Sequence, residues 1–221
     1  MLARGRADAR AAGVADRVSF AEGDFNAWSP EGTYDVVIVN QALHHVLELE
    51  GLLDAIRQAI EPDGVFLTCD MIGRNGHQRW PEARRWVEHY WEQLPESYRY
   101  DHQLRRARPA FEDWDCAQES FEGIRAQDIL PLLAERFGFE LFIGFGGFLD
   151  VFVDRSFGHS FDPEGEWDRL FIDRVAAHQD ELLLVGEITP TQMVAAMRPY
   201  PVAEPRTWAG LTPERAIRDP R

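Results

Sequence analysis

Apolar positions along the chain recur with two distinct periods. In residues 2–14, Leu2, Ala3, Ala7, Ala11 and Val14 keep helical spacing and Gly13 stands where a helix stops, which predicts a helix. Val18-Ser19-Phe20-Ala21 predicts a short strand, closed by Gly23-Asp24. Tyr34 to Val39 predicts a second strand, and its core Val36-Val37-Ile38-Val39 is apolar on both faces, the pattern of a buried parallel strand. Leu52, Leu53, Ile56, Ala59 and Ile60 then mark an amphipathic helix. Pro62-Asp63-Gly64 breaks it, and Val65 to Cys69 predicts a third strand. Strand, helix and strand with short links form a βαβ unit, for which a parallel sheet and a right-handed crossover are expected.

From Gly73 to about Ile124 aromatic and charged residues mix, and Trp86, Tyr90 and Leu94 keep helical spacing. This stretch is read as helices inserted after the third strand. Residues 128–137 resume the regular pattern: Asp128 can cap a helix, Pro131 is tolerated in its first turn, and Gly138 can end it. Phe139 to Ile143 predicts a fourth strand, residues 148–157 and 164–185 predict helices, and Thr191 to Met197 predicts a last strand. The proline-containing stretch from Pro199 reads as a loose tail. The expected division is therefore 1–72 as a partial cofactor-binding α/β segment, 73–124 as a helical insertion or substrate cover, 125–198 as the rest of the α/β domain, and 199–221 as a flexible tail.

Composition narrows the chemistry. The 221 residues carry a formal charge of −15, and all 23 basic residues are arginine. A chain without lysine has no Schiff-base lysine, no phosphate-binding loop ending in Gly-Lys-Ser/Thr and no kinase strand lysine. Its acidic balance argues against sequence-independent binding to nucleic acid, which needs a basic face. Two cysteines, Cys69 and Cys116, are too few for a disulfide framework or a four-thiolate metal site. No apolar run follows the opening charges and none approaches the ~18 residues of a membrane span. A soluble, cytoplasmic protein is the expectation, with no membrane partner.

The densest chemistry lies in the first third. A predicted strand runs into Glu22-Gly23-Asp24-Phe25, and the second ends in Asn40-Gln41, followed by Ala42-Leu43-His44-His45-Val46. In an open parallel sheet, ligands lie across the carboxyl ends of the strands. A carboxylate there accepts a hydrogen bond from an exocyclic amine, an adjacent Phe covers a ring face, and Asn40 and Gln41 suit a second polar part of the same ligand.

In this order and spacing, GDF, YDVVIVNQALHHV and LLDAIRQAIEPDGVFL resemble the middle of a class I S-adenosylmethionine-dependent methyltransferase, of the kind with Leu-His-His after the fourth strand. The resemblance is strong over residues 1–72 and extends to 125–198. It implies an α/β, Rossmann-like fold with a helical insertion, and methyl transfer from S-adenosyl-L-methionine to a small-molecule substrate. It also implies that Asp24 holds the adenine amino group, that Phe25 lines the adenine pocket, and that Asn40, Gln41 and His44 serve the cofactor. His45 is the candidate general base, from its place at a helix start and the titration range of histidine.

One departure stands out. The family's first strand and its acidic-x-Gly-x-Gly-x-Gly loop have no counterpart in the sequence, and neither does the acid-ended second strand. The sheet is therefore expected to be N-terminally incomplete, with exposed inner edges. Three accounts compete: Met1 is not the true start, the chain is a fragment, or a second chain completes the sheet. The first two are favoured jointly, because nothing in residues 1–20 looks like a replacement strand. In the same light, the chain on its own is either an active enzyme or a truncated, non-catalytic or partner-dependent methyltransferase fold.

Other features have plainer readings. Adjacent His44 and His45 point to different sides of a helix and make poor joint metal ligands, so no metal is expected. Gly144-Phe145-Gly146-Gly147 imitates a dinucleotide loop, but Leu149 falls where its third glycine belongs, and a close turn fits better. The aromatic residues from Trp80 to Tyr100 suit a substrate wall or a core equally. Arg155 suits an anionic substrate or an ion pair with Asp154 or Asp168, the latter being preferred.

Overall fold

The computed structural model describes residues 2–218. Helix α1 (Leu2–Ala11) opens the chain, and strand β1 (Tyr34–Asn40) is the first element of the main sheet. Helix α2 (Leu49–Ala59) passes without a loop into the long strand β2 (Ile60–Met71). Helix α3 (Pro81–Gln93) and a two-residue hairpin, β3 (Tyr100–Asp101) with β4 (Arg106–Ala107), belong to the inserted stretch. Helix α4 (Ala126–Arg136) leads into β5 (Gly138–Phe145), followed by the short α5 (Asp150–Val153) and the long α6 (Glu166–Val185). Strand β6 (Gln192–Arg198), the two-residue β7 (Arg206–Thr207) and α7 (Pro213–Ala216) complete the fold.

The sheet order is β1-β2-β6-β5-β7. β1 and β2 are parallel, as the apolar runs predict, with Val37 opposite Phe66 and Asn40 opposite Cys69. β6 lies antiparallel between β2 and β5, and β7 is parallel to β5. The segment Pro62-Asp63-Gly64 falls inside β2, not before it. The register jumps from Tyr34–Ile60 to Val36–Val65, so the extra residues bulge out of the ladder. Arg198 Nη1 holds the bulge by donating to the carbonyls of Asp63 (2.7 Å) and Gly64 (3.0 Å).

The expected strand at Val18-Ser19-Phe20-Ala21 does not form. A strand needs a neighbour to take its N–H and C=O groups, and residues 18–21 have none. Phe20 instead lies over Gly5 of α1, and Arg6 donates to the Phe20 carbonyl at 3.3 Å. β1 is accordingly the edge of the sheet, with Val36 46% and Ile38 67% exposed.

Two cores hold the molecule. The first joins α2, α4 and α7 to the sheet through Leu53, Ile56, Phe66, Ile129, Leu133, Phe142 and Met197. The second lies between α3, α5 and α6, where Val87, Tyr90, Trp91, Phe148, Phe152, Phe171 and Val175 pack together. The inserted aromatics Tyr90 and Trp91 are thus core residues. The glycine run after β5 is a close turn. Gly146 has φ +76°, and Gln179 Oε1 accepts the N–H groups of Phe148 (2.8 Å) and Leu149 (2.9 Å).

Two further expectations change. α4 starts at Ala126, with Asp128 inside its first turn, and Phe137 caps its end so that Gly138 opens β5. A Cβ on Gly138 would lie 2.2 Å from the Tyr200 carbonyl oxygen, so only glycine lets residues 200–202 pass so close. Residues 200–218 are packed where a loose tail was expected; the last part of that expected tail, 219–221, lies outside the described residues. β7 pairs with β5, Leu211 and Ala216 are buried, and Arg218 Nε donates to Glu82 Oε1 at 2.6 Å. Apolar residues spaced among prolines conceal this docking from a compositional reading.

Candidate functional site

Two neighbouring features stand around the carboxyl ends of β1 and β2. The first is an apolar cavity of about 150 Å³, lined by Phe25, Trp28, Val37, Val39, Ala42 and Val46, among others. Its outer wall is the loop that begins at Asp24. Asp24 caps a single helical turn, its Oδ1 accepting the Asn26 N–H at 2.9 Å and the Asn26 side-chain amide at 3.2 Å. Asn26 Oδ1 in turn accepts the N–H groups of Leu47 (2.9 Å) and Glu48 (3.0 Å), fastening the loop to the start of α2. Phe25 is left 53% exposed at the cavity.

Asn40 ends β1, and Gln41 follows in the left-handed region, with φ 50°. The Gln41 N–H donates to the Cys69 carbonyl at 2.8 Å, which holds this strained residue at the end of the ladder.

The second feature is a polar cluster. Asp70, near the end of β2, is fully buried. Its Oδ2 accepts the N–H groups of Ala42 and Leu43, both at 2.8 Å, and so caps the turn Leu43–His45. Its Oδ1 lies 2.6 Å from His44 Nδ1. His44 is therefore drawn inside, 3% exposed, and its other ring nitrogen lies 3.4 Å from Glu122 Oε1. That oxygen is also 2.9 Å from His77 Nε2, while Glu122 Oε2 is 3.6 Å from His45 Nδ1. The structure thus brings His44 and His45 together with Asp70, His77 and Glu122. Of the other candidates, Phe25 lines the cavity and Asp24 precedes it in the chain, while Asn40 ends β1 and Gln41 follows it.

The electrostatics follow from these contacts. Burial opposes charge on His44, but hydrogen bonding and the charges of Asp70 and Glu122 prevail and raise its pKa. Burial also opposes charge on Asp70, yet His44 and the backbone N–H groups of Ala42 and Leu43 hold its carboxyl below the ordinary range. His77 is pushed down, chiefly by burial, and Glu122 is lowered by the three histidines despite its own partial burial.

Arg125 ties the segment that carries Glu122 to α2. Its guanidinium grips both Glu50 oxygens at 2.7 Å, and it also donates to Asp128 (2.8 Å) and to the Leu47 carbonyl (2.7 Å). The hydrogen bonds from Arg125 bring the Glu50 carboxyl from 4.5 down to about 2. A carboxyl with a depressed folded-state pKa contributes stability that is present above its unfolded pKa and is lost as pH falls toward the folded value. These side chains are partly exposed, so Arg125→Ala is expected to cost about 1 kcal/mol at pH 7. In urea unfolding, the gap between wild type and variant narrows as pH drops from 4.5 toward 2; a gap independent of pH contradicts this role.

Asp70, His77 and Glu122 lie outside the candidates drawn from sequence. A carboxylate directly after the apolar run Val65 to Cys69 is a signal for Asp70. For His77 and Glu122 no local signal exists, since 45 positions separate them.

Residues 6–141, more than half of the chain, match the methyltransferase domain family. The chain belongs to that family, whose cofactor in the class it resembles is S-adenosylmethionine. Over 86 residues it is 33% identical to a sterol 24-C-methyltransferase of Eremothecium gossypii, a match covering 38% of this chain. The chain spans only 23% of that relative's length.

Among solved structures, it is similar to the O-methyltransferase of a trans-AT PKS multienzyme from Brevibacillus brevis, in complex with S-adenosyl-L-homocysteine. There the identity is 14% and the TM-score 0.47, covering 100% of this chain and 68% of that one. A sarcosine dimethylglycine methyltransferase from Galdieria sulphuraria, itself a putative assignment, is 13% identical with a TM-score of 0.45, covering 89% and 64%. Among the described residues no helix is long and apolar enough to cross a membrane.

Proposed function

We propose that the protein of which this chain is all or part transfers a methyl group from S-adenosylmethionine to a small-molecule acceptor, and is of the Leu-His-His kind. The observation that carries this reading is the apolar cavity between β1, the Asp24–Phe25 loop and α2, in a chain of the methyltransferase domain family. The cavity has room for a purine ring. Phe25 lies at its wall, Asp24 beside it, and Asn40 and Gln41 stand at the end of β1, where the polar remainder of the cofactor would lie. When bound, S-adenosylmethionine supplies a methyl group already activated by its sulfonium.

The chain's part is to hold the adenosine end, orient the acceptor and take a proton from it. His45 is the proton acceptor in this reading. It sits between Ala42 and Val46, which line the cavity, and its ring is half-exposed against Glu122. Positioned acid–base groups contribute at least ~10²-fold to a rate. In the complete enzyme, His45→Ala is therefore expected to lower kcat by about 100-fold with cofactor affinity unchanged, as read by steady-state kinetics and calorimetry on the same preparation. An unchanged kcat removes His45 from this role.

The bare edge of β1 supports a second element of the reading. Tyr34, Val36 and Ile38 are apolar and exposed along a strand whose outer N–H and C=O groups have no strand partner among the described residues. Further polypeptide, from the same protein or a second chain, covers that edge in the working enzyme, and without it these residues form an inactive or partner-dependent fold. A reducing, cytoplasmic setting suits the free thiols of Cys69 and Cys116.

A further inference from the structure

His44 Nε2, His77 Nε2 and Glu122 Oε1 converge from three separate segments, with all three atoms within 4.8 Å of one another. The Glu122 oxygen is 3.4 Å from the first nitrogen and 2.9 Å from the second. Ligand atoms about 2.0–2.2 Å from a tetrahedral cation stand roughly 3.3–3.6 Å from each other; the His44 nitrogen is already at that distance from the Glu122 oxygen, and small side-chain rotations would bring the His77 nitrogen to it.

The arrangement is built into the fold. The Nδ1 side of His44 is engaged by buried Asp70, which directs Nε2 toward Glu122. A carboxylate behind a histidine is the usual means of fixing the tautomer and raising the basicity of a metal-ligating imidazole. The three segments are also stitched together by their backbones: the Gly76 N–H donates to the Gly123 carbonyl at 2.8 Å and the Ile124 N–H to the His44 carbonyl at 3.1 Å.

Asn75 and Gln127 reinforce the joint with reciprocal bonds of 3.3 and 3.1 Å. His77 itself holds a left-handed conformation, φ 57°, and Gly123, φ +67°, lets the loop approach the His77 ring to a distance that a Cβ would contest at 3.0 Å. Left-handed backbone at a non-glycine residue persists only where its surroundings impose it, and such strain gathers at ligand sites.

We propose that His44, His77 and Glu122 form a binding site for a divalent transition cation of the zinc type, with Asp70 positioning His44. Two neutral imidazoles and one carboxylate are a borderline-soft ligand set that suits zinc better than calcium or magnesium. Three protein ligands leave a fourth position for water or a substrate oxygen. The adjacent pair His44-His45 is not the chelate; His44 finds its partners 33 and 78 positions downstream, at His77 and Glu122. The inference does not depend on the cofactor reading, since it concerns metal binding alone.

The test uses the whole chain, stripped of metal by a chelator and titrated with Zn²⁺ in competition with a chromophoric chelator. One equivalent is expected to bind with a Kd at or below about 1 μM. Glu122→Gln, a near-isosteric change at a partly exposed residue, and His77→Ala are each expected to weaken binding at least tenfold. Asp70→Asn is expected to weaken it by about 10–100-fold. Circular dichroism shows whether each variant is folded. Failure of the folded wild type to bind Zn²⁺ at about 100 μM overturns the site, as does binding that survives both Glu122→Gln and His77→Ala. In either case the cluster is a hydrogen-bonded network only. Neither result bears on binding of S-adenosylhomocysteine, which is measured separately.

Discussion

Replacing Asp70 with alanine is expected to lower the free energy of unfolding by about 3–5 kcal/mol, the range measured when one partner of a buried ion pair is removed. The side chain is fully buried and serves several groups at once. Oδ2 accepts two backbone N–H groups and Oδ1 faces the His44 ring. Without the carboxylate, the N–H groups of Ala42 and Leu43 and the Nδ1 of His44 lose their partner inside the protein, at about 1–3 kcal/mol for each group left unsatisfied. For a chain of this size the loss corresponds to a fall in Tm of about 6–20 °C.

Asp70→Asn keeps the volume and an acceptor oxygen but not the charge, so it should fall between wild type and Asp70→Ala. Urea unfolding of the three proteins checks the order. A loss below about 1 kcal/mol for Asp70→Ala contradicts the capping role, since that is the worth of a single ordinary hydrogen bond.

Phe66→Ala is expected to cost a similar 3–5 kcal/mol by a different route, the loss of a buried aromatic side chain together with the cavity left behind. Phe66 is in the middle of β2, opposite Val37 on one side and Met197 on the other, and its ring lies 5.3 Å from that of Phe137. It is wholly buried in the core that joins the sheet to α2 and α4. Because β2 carries both Asp70 and the parallel partner of β1, the same change should loosen the cavity wall. Chemical denaturation gives the magnitude, and hydrogen exchange of the β1 and β2 amides shows where protection is lost. A cost under 1 kcal/mol means that the site collapses around the deletion and that the sheet does not depend on this ring.

The parts of the fold that sequence reveals are those whose signal is local. The four-residue apolar run Val36–Val39 and the spacing of Leu52, Leu53, Ile56 and Ala59 each commit their segment irrespective of the rest of the chain. β1 and α2 follow from them, β2 follows from the run Val65 to Cys69, and the two strands pair in parallel as expected. Residues 18–21 show the limit of this kind of reading. Their pattern suits a strand, but a strand exists only with a neighbour, and Phe20 packs on α1 instead.

The same distinction separates the two halves of the site. Asp24, Phe25, Asn40 and Gln41 stand in one short stretch and are recognisable together. The Asp70–His44–Glu122–His77 cluster is assembled from four segments by backbone links that no local pattern announces. The segment after Pro199 is hidden from sequence for a third reason. Its prolines suggest disorder, while its docking rests on a few apolar residues and on Gly138, whose missing side chain leaves space for the passing backbone.

In the proposed reading, the cavity along β1 takes the adenosine end of S-adenosylmethionine. Isothermal titration of the chain with S-adenosyl-L-homocysteine tests it most directly, with Phe25→Ala alongside. One binding event per chain is expected. The variant, having lost an aromatic contact worth about 0.5–1.5 kcal/mol, should bind about three- to tenfold more weakly. Absence of heat at millimolar ligand, or binding that is indifferent to Phe25→Ala, would contradict it.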